Sequence, residues 1–163
     1  MAKMIDNKPS WKGEGKVWES LSANLPGDNV VYNQREVNGR EYDFCVMAEN
    51  LGLVIIEVKG WDPDKIDVRG VDNIIVDGYD EPQTSPKKQA RAYRFAILNK
   101  IVEKYNASPL VLDMVCYPFI TQEQYVRTKL DIVSEPEYTI FKEDIEDGKK
   151  LNEKIQHLFT LNK

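Results

Sequence analysis

Asp43, Glu57 and Lys59 are charged residues in stretches that otherwise read as buried strands. The run Leu53-Val54-Ile55-Ile56-Glu57-Val58-Lys59 is β-branched at its centre, as in a strand covered on both faces. Strand alternation puts Glu57 and Lys59 on one face with Ile55. Glu41 to Glu49 reads as the preceding strand, and Asn50-Leu51-Gly52 as a three-residue loop between the two. That loop pairs Glu49 with Leu53, Cys45 with Glu57 and Asp43 with Lys59. Asp43 and Glu57 are then diagonal neighbours on one face, roughly 7 Å apart, near enough to share a cation. Two carboxylates beside a lysine suit phosphodiester hydrolysis. Mg²⁺ takes oxygen ligands at about 2.1 Å and keeps waters, one of which can be delivered to phosphorus. The lysine can hold that water or neutralise charge growing on the phosphate oxygens. The same three residues would also make a buried ion cluster, or a strand end emerging into solvent before Gly60-Trp61.

The elements that must position these groups follow from periodicity. Val17, Trp18, Leu21 and Leu25 share one stripe of a helix from Trp11 to Leu25, stopped by Pro26-Gly27. Glu14 falls on that packing face and Glu19 does not. A carboxylate there is costly unless paired or metal-bound, although a first-turn acid also complements the helix dipole. Val30 to Val37 reads as a strand, Asn38-Gly39 as a hairpin turn, and the segments to Glu49 and Lys59 complete a three-strand meander. Lys65 to Asp77 carries two short β-like pieces. Ser85-Pro86 opens a long helix to about Tyr105, Leu110 to Tyr117 is another apolar strand, Gln122 to Leu130 a helix and Tyr138 to Phe141 a short strand. Asp144 to Leu161 reads as a charged final helix with no evident packing partner. The order α-β-β-β-α-β plus a C-terminal extension predicts an α/β fold with a mixed sheet flanked by helices.

With 163 residues and 42% hydrophobic content, the chain suits one domain with a core from about 12 to 118 and an extension over 119–163. Cys45 and Cys116 sit in apolar runs and read as reduced core thiols. Two Cys and one His cannot furnish a structural zinc site, and His157 reads as solvated. No run approaches the ~20 apolar residues of a membrane span, and Met1 to Ser10 lacks a signal-peptide core, so a soluble, cytoplasmic protein is expected. The net charge of -5 hides a contrast. Between Thr84 and Lys104 lie Lys87, Lys88, Arg91, Arg94, Lys100 and Lys104 against Glu103 alone, a local +5 that leaves -10 elsewhere. Gln89, Tyr93, Ala96 and Lys100 form one stripe of that helix, able to present an amide, a phenol and an ammonium to a phosphate backbone.

Asp43, thirteen intervening residues and Glu57-Val58-Lys59 resemble the core motif of the PD-(D/E)XK nuclease superfamily, whose fold is restriction-endonuclease-like. Gly13-Glu14-x-x-Val17, Glu41-Tyr42-Asp43-Phe44, Ile56-Glu57-Val58-Lys59 followed by Trp61, and Pro86-x-x-Gln89-Ala90 are similar to the nuclease-related domain, NERD, over about residues 12 to 105. Tyr42 departs from the family, which usually has an aliphatic residue before its aspartate. The resemblance implies Mg²⁺ or Mn²⁺ held by Asp43, Glu57 and the Val58 carbonyl, Lys59 acting on the attacking water, and Glu14 as an outer or second-metal carboxylate. It further implies that Gln89 and Tyr93 position the catalytic centre and DNA; the charge of the same helix makes Lys87, Lys88, Arg91, Arg94 and Lys100 the expected nucleic-acid contacts. The tail from Met114 to Phe159 resembles the segment C-terminal to this domain in some larger helicase-associated proteins. The expected activity is metal-dependent DNA hydrolysis. The alternatives are a non-catalytic nucleic-acid-binding accessory domain of a helicase and a protein-interaction domain.

Overall fold

The computed structural model describes residues 1–37, 39–106 and 108–162. Strands β1 (Lys3–Met4), β2 (Asn29–Asn33), β5 (Phe44–Ala48), β6 (Gly52–Val58), β9 (Val111–Cys116) and β10 (Thr139–Ile140) form one mixed six-stranded sheet in that spatial order. Helix α1 (Lys12–Asn24) precedes β2, and two short hairpins, β3 (Glu36–Val37) with β4 (Arg40–Glu41) and β7 (Ile66–Gly70) with β8 (Asn73–Val76), project from the sheet connections. Helix α2 (Pro86–Tyr105) connects β8 to β9, and α3 (Gln122–Arg127), α4 (Lys142–Glu146) and α5 (Gly148–Leu161) complete the chain. The core order α1-β2-β5-β6-α2-β9 is that expected from periodicity.

Alternation along the strands divides the core. Phe44, Val46, Val54, Ile56, Met114 and Cys116 point to one face and meet Val17, Leu21 and Leu25 of α1. On the opposite face, Cys45 and Ile55 pack against Ile97 of α2. The final helix does have a packing partner: Leu151, Ile155, Leu158 and Phe159 of α5 are buried in the same cluster as α1. Its charges occupy the outer side of an amphipathic helix, and the expected continuous helix is broken at Asp147 into α4 and α5.

The meander departs from expectation at both of its turns. The β2–β5 ladder ends at Asn33–Phe44 instead of running on through the β3–β4 hairpin. Gln34 takes a left-handed conformation, φ 53°, which turns the chain out of the sheet, while Asp6 accepts the Asn33 N–H at 2.9 Å. Of the expected Asn38-Gly39 turn, Asn38 lies outside the described residues. At the second turn Ala48 pairs with Gly52 and Met47 with Leu53, so Glu49, Asn50 and Leu51 form the loop. Cys45 therefore faces Ile55 rather than Glu57, and continuing the register one step past Phe44–Ile56 sets Asp43 across from Glu57 rather than Lys59. The difference is two residues in register, so face parity is kept and the two carboxylates come closer than anticipated. Gly52 fixes this turn, because its φ is 145° and a Cβ there would lie 2.3 Å from the Leu110 carbonyl oxygen.

Candidate active site

The site forms where β6 leaves the sheet beneath the start of α1. Gly13 makes this approach possible: a Cβ on it would stand 3.2 Å from the Gly60 Cα, tighter than an ordinary packing contact. The first turn of α1 thus rests on the chain just past β6, and Glu14 reaches the strand ends. A cleft of about 490 Å³ opens here, lined among others by Glu14, Asp43, Glu57, Val58 and Lys59.

Asp43 is held by an N–H from the neighbouring strand, its Oδ2 accepting from Val58 at 2.7 Å. In an extended strand the N–H and C=O of one residue point to the same side, so the Val58 carbonyl is directed towards Asp43 while the Lys59 N–H bonds to Cys116 O at 2.9 Å on the other side. Glu57 is 6% exposed. Its Oε1 lies 3.5 Å from Lys59 Nζ, and its Oε2 is buried without a hydrogen-bond partner. Glu14 accepts from Gln34 Nε2 at 3.1 Å, so the residue that bends β2 also steadies the third carboxylate.

These environments disfavour charge. Burial, then the Glu57 charge, push the Asp43 carboxyl up to about 7, against the Val58 N–H and Lys59, which favour its ionised form. Burial and the nearby Asp43 charge push Glu14 up to about 7 as well. Glu57 is raised chiefly by burial, with Lys59 opposing. Three carboxyl groups that cannot all ionise cheaply in one cleft form a site for a positive charge. Among the described residues no three carboxylate, imidazole or thiol groups stand as a ready-made coordination set. The donors are all oxygen, and the unpartnered Glu57 Oε2 is a buried acceptor lacking a positive partner, which fits a hard cation rather than a soft one.

The remaining expected residues divide. Tyr93 is half-buried against the α2-side core, outside the cleft lining, and its phenol is raised by burial and then by the negative charges of Glu57 and Asp43. Gln89 is one turn earlier on the same stripe, outside the cleft lining, and its Nε2 donates to Thr84 Oγ1 at 3.1 Å. Lys87 and Arg94 are both paired with a buried carboxylate. Asp113, in the central strand β9 and 1% exposed, binds Lys87 Nζ at 2.5 Å and Arg94 at 3.2 Å. A buried carboxylate must be neutralised, and helix α2 supplies both cations inward. Lys88 pairs with Asp72, whereas Arg91 and Lys100 remain exposed. Cys45 and Cys116 are buried and free, and His157 is exposed. No helix among the described residues is long and apolar enough to cross a membrane.

Several residues of the cleft have no signature in the sequence. Trp11, Lys12, Tyr79 and Phe119 line it with none, whereas Trp61, which also lines it, stands in the family-like motif after Lys59. Trp11 lies just outside the α1 stripe, and Tyr79 and Phe119 come from irregular segments, so no periodicity marks them.

Residues 9–118 match the family model described as the nuclease-related domain. Among solved structures, the crystal structure of a repair endonuclease from Pyrococcus abyssi aligns with a TM-score of 0.42 and 15% identity, over 83% of this chain and 48% of that one. The chain therefore spans about half the length of that protein. No curated protein matches.

Proposed function

Because the chain belongs to the nuclease-related domain family, we propose that it hydrolyses DNA phosphodiester bonds with the help of a divalent cation. Asp43, Glu57 and the Val58 carbonyl would hold Mg²⁺ or Mn²⁺, with Glu14 beside them. When bound, such an ion supplies Lewis acidity and a water of lowered pKa. Lys59, on the same strand face as Glu57, orients the attacking water and offsets charge growing on the phosphate oxygens. Glu14, pushed up to about 7, is able to take a proton near neutral pH. Water then attacks phosphorus in line, the bond to the 3′ oxygen breaks, and a 3′ hydroxyl and a 5′ phosphate result. Tyr93, on the α2 side, would help to position the catalytic centre and the DNA.

The observation that carries this reading is the buried, unpartnered Oε2 of Glu57, placed across from Asp43 and next to Lys59. Labelled single- and double-stranded DNA incubated with Mn²⁺ tests it. Glu57→Gln, nearly isosteric, is expected to reduce cleavage by more than about a hundredfold, beyond the usual loss for an outer-sphere residue. Cleavage that survives both chelation and this substitution would overturn the mechanism. The alternative, a non-catalytic nucleic-acid-binding module attached to a helicase motor, draws on the 3.5 Å Glu57–Lys59 pair, which neutralises charge internally. That reading expects DNA binding with no cation-dependent gain in melting temperature.

A further inference from the structure

The mouth of the carboxylate cleft carries two largely exposed aromatic side chains. Trp11 is 73% exposed and Tyr79 is 55% exposed, and both line the same cleft as Glu14, Asp43, Glu57 and Lys59. The other aromatic residues of this wall are packed: Trp61 is buried with its ring 6.0 Å from that of Tyr117, and Phe119 lies beneath Lys12 and Lys16 at 5.9 and 5.3 Å from its centroid. Leaving two large aromatic surfaces in water forgoes burial that the core obtains elsewhere.

Both residues sit on backbone with defined hydrogen bonds. Trp11 is the N-cap of α1, extended at φ -67° and ψ 134°, and its carbonyl accepts from Gly15 N at 2.8 Å. Tyr79 comes after a turn in which Gly78 has φ 96° and the Tyr79 N–H bonds to Val76 O at 3.1 Å, at the end of the β7–β8 hairpin. Trp and Tyr have only two side-chain torsions to order on contact, so they lose little entropy there. Lys12 adds a cation that has no carboxylate partner among the described residues, at the start of a helix whose first N–H groups lack a side-chain cap. Thus aromatic faces and an ammonium without a carboxylate partner line the same cleft as the carboxylate cluster, while the expected basic surface of α2 is partly consumed by Asp113.

We propose that this cleft selects an unpaired polynucleotide strand, stacking bases on Trp11 and Tyr79 while Lys12 engages a phosphate next to the scissile one. Within a duplex the base faces are already covered by their neighbours, so exposed aromatics at a cleft mouth gain a stacking partner only from an unstacked base. The proposal deepens the nuclease reading and takes the place of the scissile phosphate from it.

Binding is measured without catalysis, in chelator, using a short fluorescently labelled oligothymidine and a blunt duplex of equal length. Wild type is expected to bind the single strand more tightly and to lose Trp fluorescence on binding. Trp11→Ala and Tyr79→Ala should each weaken single-strand binding by roughly five- to a hundred-fold, the range for loss of one stacked base, and leave duplex binding within about twofold. Trp11→Phe, which keeps a stacking face, should restore most of the affinity. Preference for the duplex, equal losses on both substrates, or failure of wild type to bind would overturn the proposal. A lack of cation-dependent stabilisation or cleavage would instead refute the nuclease reading, so the two failures are separable.

Discussion

Cation binding to the carboxylate cluster should depend steeply on pH. Asp43 and Glu14 are both pushed up to about 7, from ordinary values of 3.8 and 4.5. A carboxyl whose pKa is raised on folding contributes stability that is full below the unfolded pKa and lost as pH rises through the folded one. At 1.36 kcal/mol per unit, Asp43 alone costs at most about 4 kcal/mol at pH 8, and the Glu14 contribution overlaps it because the two interact. A dication that needs Asp43 ionised, and gains from an ionised Glu14 beside it, meets about a tenth of each in that form at pH 6 and about nine tenths at pH 8. Its apparent affinity should therefore rise by about 10- to 100-fold between these pH values. At a hundredfold excess over Kd, Mn²⁺ stabilises the native state by about 2.7 kcal/mol, which for a chain of this size raises Tm by about 5–10 °C. The assay is thermal denaturation across a Mn²⁺ titration at pH 6 and at pH 8. Glu57→Gln should remove most of the shift, and Asp43→Asn should raise cation-free stability at pH 8 while retaining an acceptor for the Val58 N–H. Equal Mn²⁺ affinity at both pH values, or a shift that persists in the Asp43→Asn, Glu57→Gln double variant, would refute the reasoning.

Two further substitutions test the scaffold. Asp113→Ala leaves Lys87 and Arg94 beneath α2 without their shared counter-charge, and should cost about 3–5 kcal/mol, read by urea denaturation. An unchanged midpoint would show that those cations reach solvent. Gly52→Ala adds a Cβ 2.3 Å from the Leu110 oxygen at a φ of 145°, and should destabilise by about 2 kcal/mol or more, with cation binding weakened in step because the same turn sets Asp43 across from Glu57.

The sequence carried the existence of the core elements from α1 to β9 because their periodicity is local. Val17, Leu21 and Leu25 mark α1, and Ser85-Pro86 marks the start of α2, where the Ser85 side chain accepts the Lys88 N–H at 3.3 Å. The shared face of Asp43 and Glu57 was also legible, since parity survives the two-residue difference in register. Register itself was not, because it depends on Gly52 meeting Leu110 across the sheet, a contact between segments far apart in the chain. The fate of Lys87 and Arg94 was hidden for the same kind of reason: Asp113 lies within the apolar run Val111–Cys116, and its need for counter-charge is met from a helix that a charge count reads as a surface. Local composition ranks cations by number, whereas burial decides which of them remain available.

That redistribution bears on how a substrate would approach. With Asp113 holding two of the cations of α2, Lys88 paired with Asp72, and Arg91 and Lys100 exposed outside the cleft lining, the cations that line the cleft are Lys59 and, at its rim, Lys12. Neither offers the long phosphate-binding surface that duplex recognition by charge alone requires. A cleft with so few cations gains affinity by other means, and the largely exposed rings of Trp11 and Tyr79 supply it through stacking. The carboxylates have the converse requirement. Burial of Glu57 with one oxygen unpartnered lowers stability, and an apolar residue there would pack without that cost. Retaining acids at this position favours the native state only when a cation joins them, so the stability deficit and the cation affinity are two measurements of one interaction and should change together in every variant of the cluster.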